Sequence, residues 1–192
     1  MRCANCREKI DGNWRRVGLR TIHPECFEEF IDRTVKSVQE KKKVKIKKMT
    51  ERNDKQKAKD TAWKWFSKFI RLRDADRNGM VACIDCGKMH PWNKGTDAGH
   101  FIPKSAGEIF YFDENNTHGQ ARQCNYYGSQ DTGARYRRAL VKKIGEDAVK
   151  YLEQLKASHS SLQRTTEDYR ELSKLYREKC KDIVSLRGFD SN

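Results

Sequence analysis

The chain has 192 residues, 36% of them hydrophobic and 35% charged, and its 41 Lys and Arg against 27 Asp and Glu give a net charge of +14. That length allows one domain with an appendage or two small domains, and so low an apolar content excludes a large core, which makes metal staples the expected supplement. No apolar run is long enough to cross a bilayer, and there is no lipidated anchor or signal-peptide core, so a membrane partner is excluded and a cytoplasmic protein with a polyanionic partner is expected.

In such a compartment the seven cysteines favour metal ligation over disulfides, since most fall in C-x2-C or H-x2-C pairs. Residues 1–32 open with Cys3-Ala-Asn-Cys6 and return, after sixteen intervening residues, with His23-Pro-Glu-Cys26. Three thiolates and an imidazole suit tetrahedral Zn2+ and leave no open position, so the expected role is stability or docking. Trp14, Val17, Leu19 and Ile22 alternate as in a short hairpin, and Phe27-Glu-Glu-Phe30-Ile31 starts a helix. The pattern resembles one finger of a LIM-type or treble-clef module; the competing reading is a mobile arm carrying four unrelated residues.

Residues 33–60 are lysine-rich, with eleven Lys and Arg against three Asp and Glu between 36 and 59. Lacking Pro and Gly, the segment reads either as a solvated helix or as a partly ordered linker, and its one-sided charge suits phosphate contacts. A domain boundary is expected inside it. From Thr61 to Asp74, Trp63, Phe66 and Ile70 recur at helical spacing with Trp65 and Phe69 beside them, a stripe for packing rather than for stacking on bases. Asn78-Gly79 then turns the chain into a short strand from Met80 to Cys83.

The stretch from Cys83 to Asn125 carries the chemistry. Cys83 and Cys86 form a knuckle whose matching half is incomplete: Cys124 is present, but Ala121 stands three residues before it, leaving His118 or His90 to complete a second Zn2+ site. In Asp97-Ala-Gly-His100-Phe-Ile-Pro103, a histidine at a strand end held by a Pro turn can accept a proton from water. Asp97 and the amide oxygen of Asn125 are hard ligands for Mg2+ or Mn2+. Asn116 can tie the loop between strand and helix so that His100 is aimed. The competing reading makes His100 a structural turn residue.

Beyond this, residues 135–144 form a basic amphipathic helix that Gly145 ends, offering Arg135, Arg137, Arg138, Lys142 and Lys143 to phosphates or to solvent. Ala148, Leu152 and Leu155 make a second stripe. Thr165-Thr-Glu-Asp168 is a capping box opening a helix through Tyr169, Leu172, Leu175, Tyr176 and Ile183, with Cys180 expected as a buried free thiol.

The order of His, Asn and late Asn beside paired cysteines resembles the HNH, or ββα-metal, endonucleases. More narrowly, A-G-H-F-I-P, F-D-E-N-N-T-H-G-Q, Q-C-N and Y-R-R-A-L-V-K-K-I-G (ending at Gly145) are similar to the phage NinG/Rap recombination endonuclease family over roughly residues 60–180. The resemblance implies a DNA endonuclease acting on branched intermediates such as Holliday junctions or D-loops in a host cytoplasm. It places His100 as general base, Asn116 as the middle Asn, and Asn125 with Asp97 as ligands of one catalytic Mg2+ or Mn2+, beside one or two structural Zn2+. A homodimer and recombination-protein partners are open expectations. Ala121 for a cysteine and Tyr127 for a histidine depart from the family pattern, and the N-terminal cysteines lie outside it.

The expected fold is therefore α+β: a zinc-finger-like module over 1–32, a basic helical linker over 33–60, and a zinc-braced ββα-metal core wrapped by helices over 61–187. Two rival functions remain at this stage, a noncatalytic zinc-stabilised DNA-binding protein with a degenerate site and a LIM-like adaptor.

Overall fold

The structure, a computed structural model, describes residues 1–128, 131–158 and 162–189, and has two compact units that divide between Asn53 and Asp54. The first holds the hairpin of β1 (Arg15–Val17) and β2 (Arg20–Ile22), paired from Arg15↔Ile22 to Val17↔Arg20, and then helix α1 (Phe27–Asp74) begins. Its small core is Cys3, Ile22 and Phe30. The expected hairpin and the helix start at Phe27 are both present.

The closing helix, the lysine-rich stretch and the aromatic helix, read as three pieces, are one helix: α1 contributes its first part to unit 1 and its last part to unit 2. No Pro or Gly interrupts it, and straight-chain Lys, Glu and Gln lose little rotamer freedom in a helix. The division between the units falls within the lysine-rich stretch.

Unit 2 continues with β3 (Met80–Ala82) and β4 (Met89–Pro91), an antiparallel hairpin, and then β5 (Thr96–His100). A loop containing α2 (Glu108–Tyr111) leads to β6 (Thr117–Ala121), antiparallel to β5, and α3 (Arg122–Tyr127) follows at once. Helices α4 (Thr132–Ile144), α5 (Glu146–Ala157) and α6 (Thr166–Arg187) complete an α+β fold. Gly145, at φ +89°, separates α4 from α5 with a backbone conformation costly for other residues. The capping box of α6 is formed: Asp168 N–H donates to Thr165 Oγ1 at 3.2 Å and Thr165 N–H to Asp168 Oδ2 at 2.6 Å.

Two apolar clusters hold unit 2. One packs Phe66, Phe69, Ile70 and Leu72 of α1 against Val81, Phe112, Tyr169, Tyr176 and Cys180; the other joins Ile102 and Phe110 to Tyr136, Leu140, Val149 and Leu152. Each fully buried large side chain contributes about 1.5–3 kcal/mol. The aromatic stripe of α1 is thus mainly core, and Cys180 is a buried thiol whose sulfur lies 3.7 Å from the Trp65 carbonyl.

Candidate active site and metal centres

The β5–β6 hairpin is close-packed because it carries glycine where side chains would collide. A methyl group on Gly99 would overlap the Gln120 side chain, and one on Gly119 would overlap Val81 Cγ1. The Gly119 N–H also donates to Asp74 Oδ2 at 2.8 Å. With the strands pulled in, the end of β5 and the start of α3 open onto a cleft of about 590 Å3. Trp63 and Arg71 of α1, Asp97 and His100 of β5, Lys104 of the next turn, and Arg122, Asn125 and Tyr126 of α3 line it. Asp97, His100 and Asn125 were singled out together from sequence, and they share this cleft.

His100 has a defined tautomer. Its Nε2 lies 3.1 Å from the Tyr111 carbonyl, which can only accept, so Nε2 carries the proton and Nδ1 is the basic nitrogen. The ring stacks on Trp63 with centroids 5.3 Å apart and planes at 27°, and Lys104 Nζ sits 4.0 Å over that indole. Burial, with a smaller push from Lys104 against the bond to Tyr111, lowers the imidazole to about 4. His100 is therefore neutral at physiological pH.

Asp97 is engaged loosely. Its Oδ1 accepts from Arg122 at 3.3 and 3.4 Å, and its Oδ2 accepts from the Asn125 amide at 3.4 Å. Arg71, half-buried, donates to the carbonyls of Ser67 and Trp92 at 3.1 and 3.2 Å and makes no ion pair among the described residues. Burial lowers its pKa, with Asp97 and Arg122 pulling in opposite directions. Arg71, Lys104 and Arg122 were not foreseen as site residues, and only the last has a local signal, three residues before Asn125.

Asn116 is fully buried and lines no part of the cleft. Its Oδ1 accepts from Ile102 N–H at 2.8 Å, and its Nδ2 donates to the carbonyls of Ile102 and Phe110 at 3.0 and 3.1 Å. Those bonds close the loop that brings the Tyr111 carbonyl to His100. Asn116 is thus a positioning residue, the loop tie read from sequence, and as the middle Asn of the His-Asn-Asn order it supports the cleft from behind instead of facing a substrate.

His118 is placed elsewhere than expected. It is buried against Arg73 and Asp74, with Nδ1 2.8 Å from Arg73 Nη2 and Nε2 3.1 Å from the Asn115 carbonyl. Asp74 is the hub there: it accepts from Gly119 and Arg73, pairs with Lys143 at 2.8 Å, and is held well below the usual carboxylate range against the opposing effect of burial. His118 is accordingly no ligand of the second cysteine group.

The predicted basic helix face is also largely spent inside the protein. Arg135 pairs with Asp85 at 2.8 Å, Arg137 with Glu146 and Glu153 at 2.9 and 2.8 Å, and Lys143 with Asp74. Arg138 and Lys142 are exposed. None of the five lines the cleft, which draws its cations from α1, α3 and the turn after β5.

Two groups of metal donors lie outside the cleft. The ligand atoms of Cys3, Cys6, His23 and Cys26 all fall within 4.8 Å of one another, with Cys6 Sγ 3.4 Å from His23 Nδ1. Donors about 2.3 Å from one Zn2+ stand ~3.8 Å apart in a tetrahedron, so this set fits zinc. Burial raises the Cys3 thiol, but N–H groups of His23, Cys6 and Asn5 outweigh it and bring it to about 6; Cys26 is pushed up to about 11 by burial and by the bond to Cys6. Thiols that share protons in this way release them to a cation. The second group is Cys83, Cys86 and Cys124, again within 4.8 Å, and here burial and Cys86 push Cys124 up to about 12. It provides three donors.

The chain matches the family described as Bacteriophage Lambda NinG protein over residues 1–185, which includes the N-terminal cysteines. It is 33% identical over 120 residues to Protein ninG of Escherichia phage 933W, covering 62% of this chain and 55% of that protein. Protein ninG of Salmonella phage P22 is 33% identical and that of Escherichia phage lambda 32%, each over 62% of this chain and 54% of its own length. The chain therefore spans about half the length of the curated relatives it matches. No solved structure matches it.

Proposed function

The chain belongs to the phage NinG family, and from that premise and the cleft chemistry we propose that it is a metal-dependent DNA endonuclease of the HNH type, acting on branched DNA during recombination in the host cytoplasm. The observation that carries this reading is the pinned tautomer of His100: a neutral ring with a basic Nδ1, in the same cleft as a carboxylate and an amide.

In this reading His100 accepts a proton from the attacking water at Nδ1, while the Tyr111 carbonyl holds the ring through Nε2 and Asn116 holds the loop that supplies that carbonyl. Asp97 and Asn125 would hold one Mg2+ or Mn2+, and their oxygen donors fit a hard cation once the Asn125 amide turns its oxygen to the Asp97 side. Bound there, such an ion stabilises negative charge on the phosphate and the leaving oxygen. Arg71 and Arg122 place guanidinium groups in the cleft to bind phosphate oxygens, and a bound phosphate raises the basicity of His100 from its low starting point. Cys3, Cys6, His23 and Cys26 would hold one Zn2+, which would brace unit 1.

One observation favours a second reading. Asp97 already has an internal cation, Arg122, on one carboxylate oxygen, and if that pair persists the protein is a noncatalytic zinc-stabilised DNA-binding protein. Nicking of supercoiled plasmid and cleavage of four-way junctions in Mg2+ or Mn2+ separate the two. The endonuclease is expected to cleave the junction in preference, to stop on chelation, and to lose about 10²–10⁴-fold in rate with His100→Ala, the usual span for a general base. Equal cleavage by parent and His100→Ala rejects the assignment of His100, and salt-sensitive binding without cleavage selects the second reading.

A further inference from the structure

The two cysteine groups share a C-x2-C half and differ by one donor. At the second, the turn between β3 and β4 is a knuckle: Cys83 N–H bonds to Lys88 O at 3.0 Å and Gly87 N–H to Cys83 O at 2.8 Å. Cys124, on α3, brings a third sulfur to it. Among the described residues, the candidates for a fourth donor are otherwise engaged or lie outside the group. Ala121 stands where a C-x2-C would put its first cysteine, and its N–H reaches Cys83 Sγ at 3.2 Å, so the backbone is in place and the side chain is a methyl group. His118 is bound to Arg73 and the Asn115 carbonyl, and Asp85 is held by Arg135 at 2.8 Å. His90 sits beside Gly95 on β4, outside the group.

We propose that Cys83, Cys86 and Cys124 bind one Zn2+ through three thiolates and leave its fourth coordination position to a soft anionic ligand from solution, a low-molecular-weight thiolate. Three protein ligands with one open position is the arrangement zinc adopts where its fourth ligand is exchangeable. Access exists: Cys86 is exposed, and Cys124 borders a groove of about 490 Å3 that Asp85, Gln123, Tyr127 and Arg135 also line. The two charged side chains of that groove, Arg135 and Asp85, are paired with each other, so the softness of a cation already held by three sulfurs is what favours a thiolate in the fourth position. Cys124 immediately precedes Asn125, which faces Asp97, so the ion would clamp the foot of α3 next to the cleft.

This inference stands apart from the endonuclease reading, and its test reads metal and spectra, with no DNA present. Zinc is quantified on the purified full chain and on Cys83→Ser; two ions per chain falling to one are expected. The ions are then replaced by Co2+, and the Cys83→Ser spectrum is subtracted from the parent's to isolate the second site. Added glutathione is expected to shift the visible bands of that difference spectrum and strengthen its sulfur charge-transfer band. Ala121→Cys should reproduce the strengthened band without glutathione and remove the response. Should Cys83→Ser fail to fold, the comparison of parent with Ala121→Cys decides alone. One zinc per parent chain, or two with a cobalt spectrum indifferent to both glutathione and Ala121→Cys, overturns the proposal.

Discussion

The first and last hairpins among the described residues, β1–β2 and β5–β6, put polar side chains to opposite uses. Around β1–β2, the polar donors Cys3, Cys6, His23 and Cys26 converge on one another, and the apolar core beside them is only Cys3, Ile22 and Phe30. Around β5–β6, Asp97 and His100 line an open cleft instead, and the hairpin is held by large clusters on either side, with Phe66 and Ile70 in one and Tyr136 and Leu140 in the other. A hairpin that must be held by its own polar groups has none to spare for a substrate. One buttressed by apolar packing can leave a base and a carboxylate facing outward.

The sharpest way to break that contrast is to withdraw metal. Structural zinc supplies on the order of 10–16 kcal/mol to small metal-folded units, so a strong chelator, or Cys26→Ser, should melt unit 1 while unit 2 keeps a cooperative transition. Residue-resolved hydrogen exchange reads both; loss of protection in β5 and β6 to the same extent as in β1 and β2 would erase the distinction.

Next in size is the loop tie. Asn116→Ala removes three buried hydrogen bonds and is expected to cost unit 2 about 3 kcal/mol, from partners left buried and unsatisfied. Calorimetry should show a fall in Tm of roughly 10 °C for that unit, and the same substitution should slow cleavage by releasing the Tyr111 carbonyl. An unchanged Tm would mean the loop is held by something else.

Titration of His100 gives an effect of similar size with a definite sign. Its folded pKa of about 4 lies below the ordinary ~6.5, so between these values the unfolded chain takes up a proton that the folded protein refuses. Stability should then be undiminished above pH 6.5 and fall as pH drops toward 4, by up to roughly 3 kcal/mol. Denaturant melts of parent and His100→Gln across that window should diverge, and parallel curves would show that the ring is solvated.

The smallest effect distinguishes cleft cations from paired ones. Arg71→Ala should weaken DNA cleavage about tenfold in kcat/KM, near 1.4 kcal/mol, whereas Arg137→Ala, whose side chain is taken by Glu146 and Glu153, should leave it unchanged. The reverse ranking would restore the phosphate-binding face to α4.

Which features were legible in the chain follows the range of the interactions that decide them. The four donors of the first cysteine–histidine group come in two short repeats, and the Thr165 capping box lies within four residues, so spacing alone places them. The hairpin residues Asp97 and His100 and the helix residue Asn125 also stay within one supersecondary unit. The partner of His118 could not be read: Arg73 is 45 residues away, and nothing near His118 announces that its ring is spent there. The same holds for Arg135, whose counter-ion is fifty residues earlier, and for Arg71, brought to the cleft by a helix that ends before the β3–β4 and β5–β6 hairpins begin. The continuity of α1 failed to show because a lysine run carries no apolar stripe, and helix and coil differ little in such a sequence until packing at its ends decides.

The protonation state of His100 can be observed directly by long-range nitrogen–proton correlation NMR on the side-chain imidazoles, recorded from pH 4 to pH 8. At pH 7 the ring should be neutral with the proton on Nε2 and an unprotonated Nδ1, and it should remain so until the pH approaches 4. A proton on Nδ1, or a titration centred near 6.5, would contradict a buried base aimed by the Tyr111 carbonyl and with it the hydrolytic site.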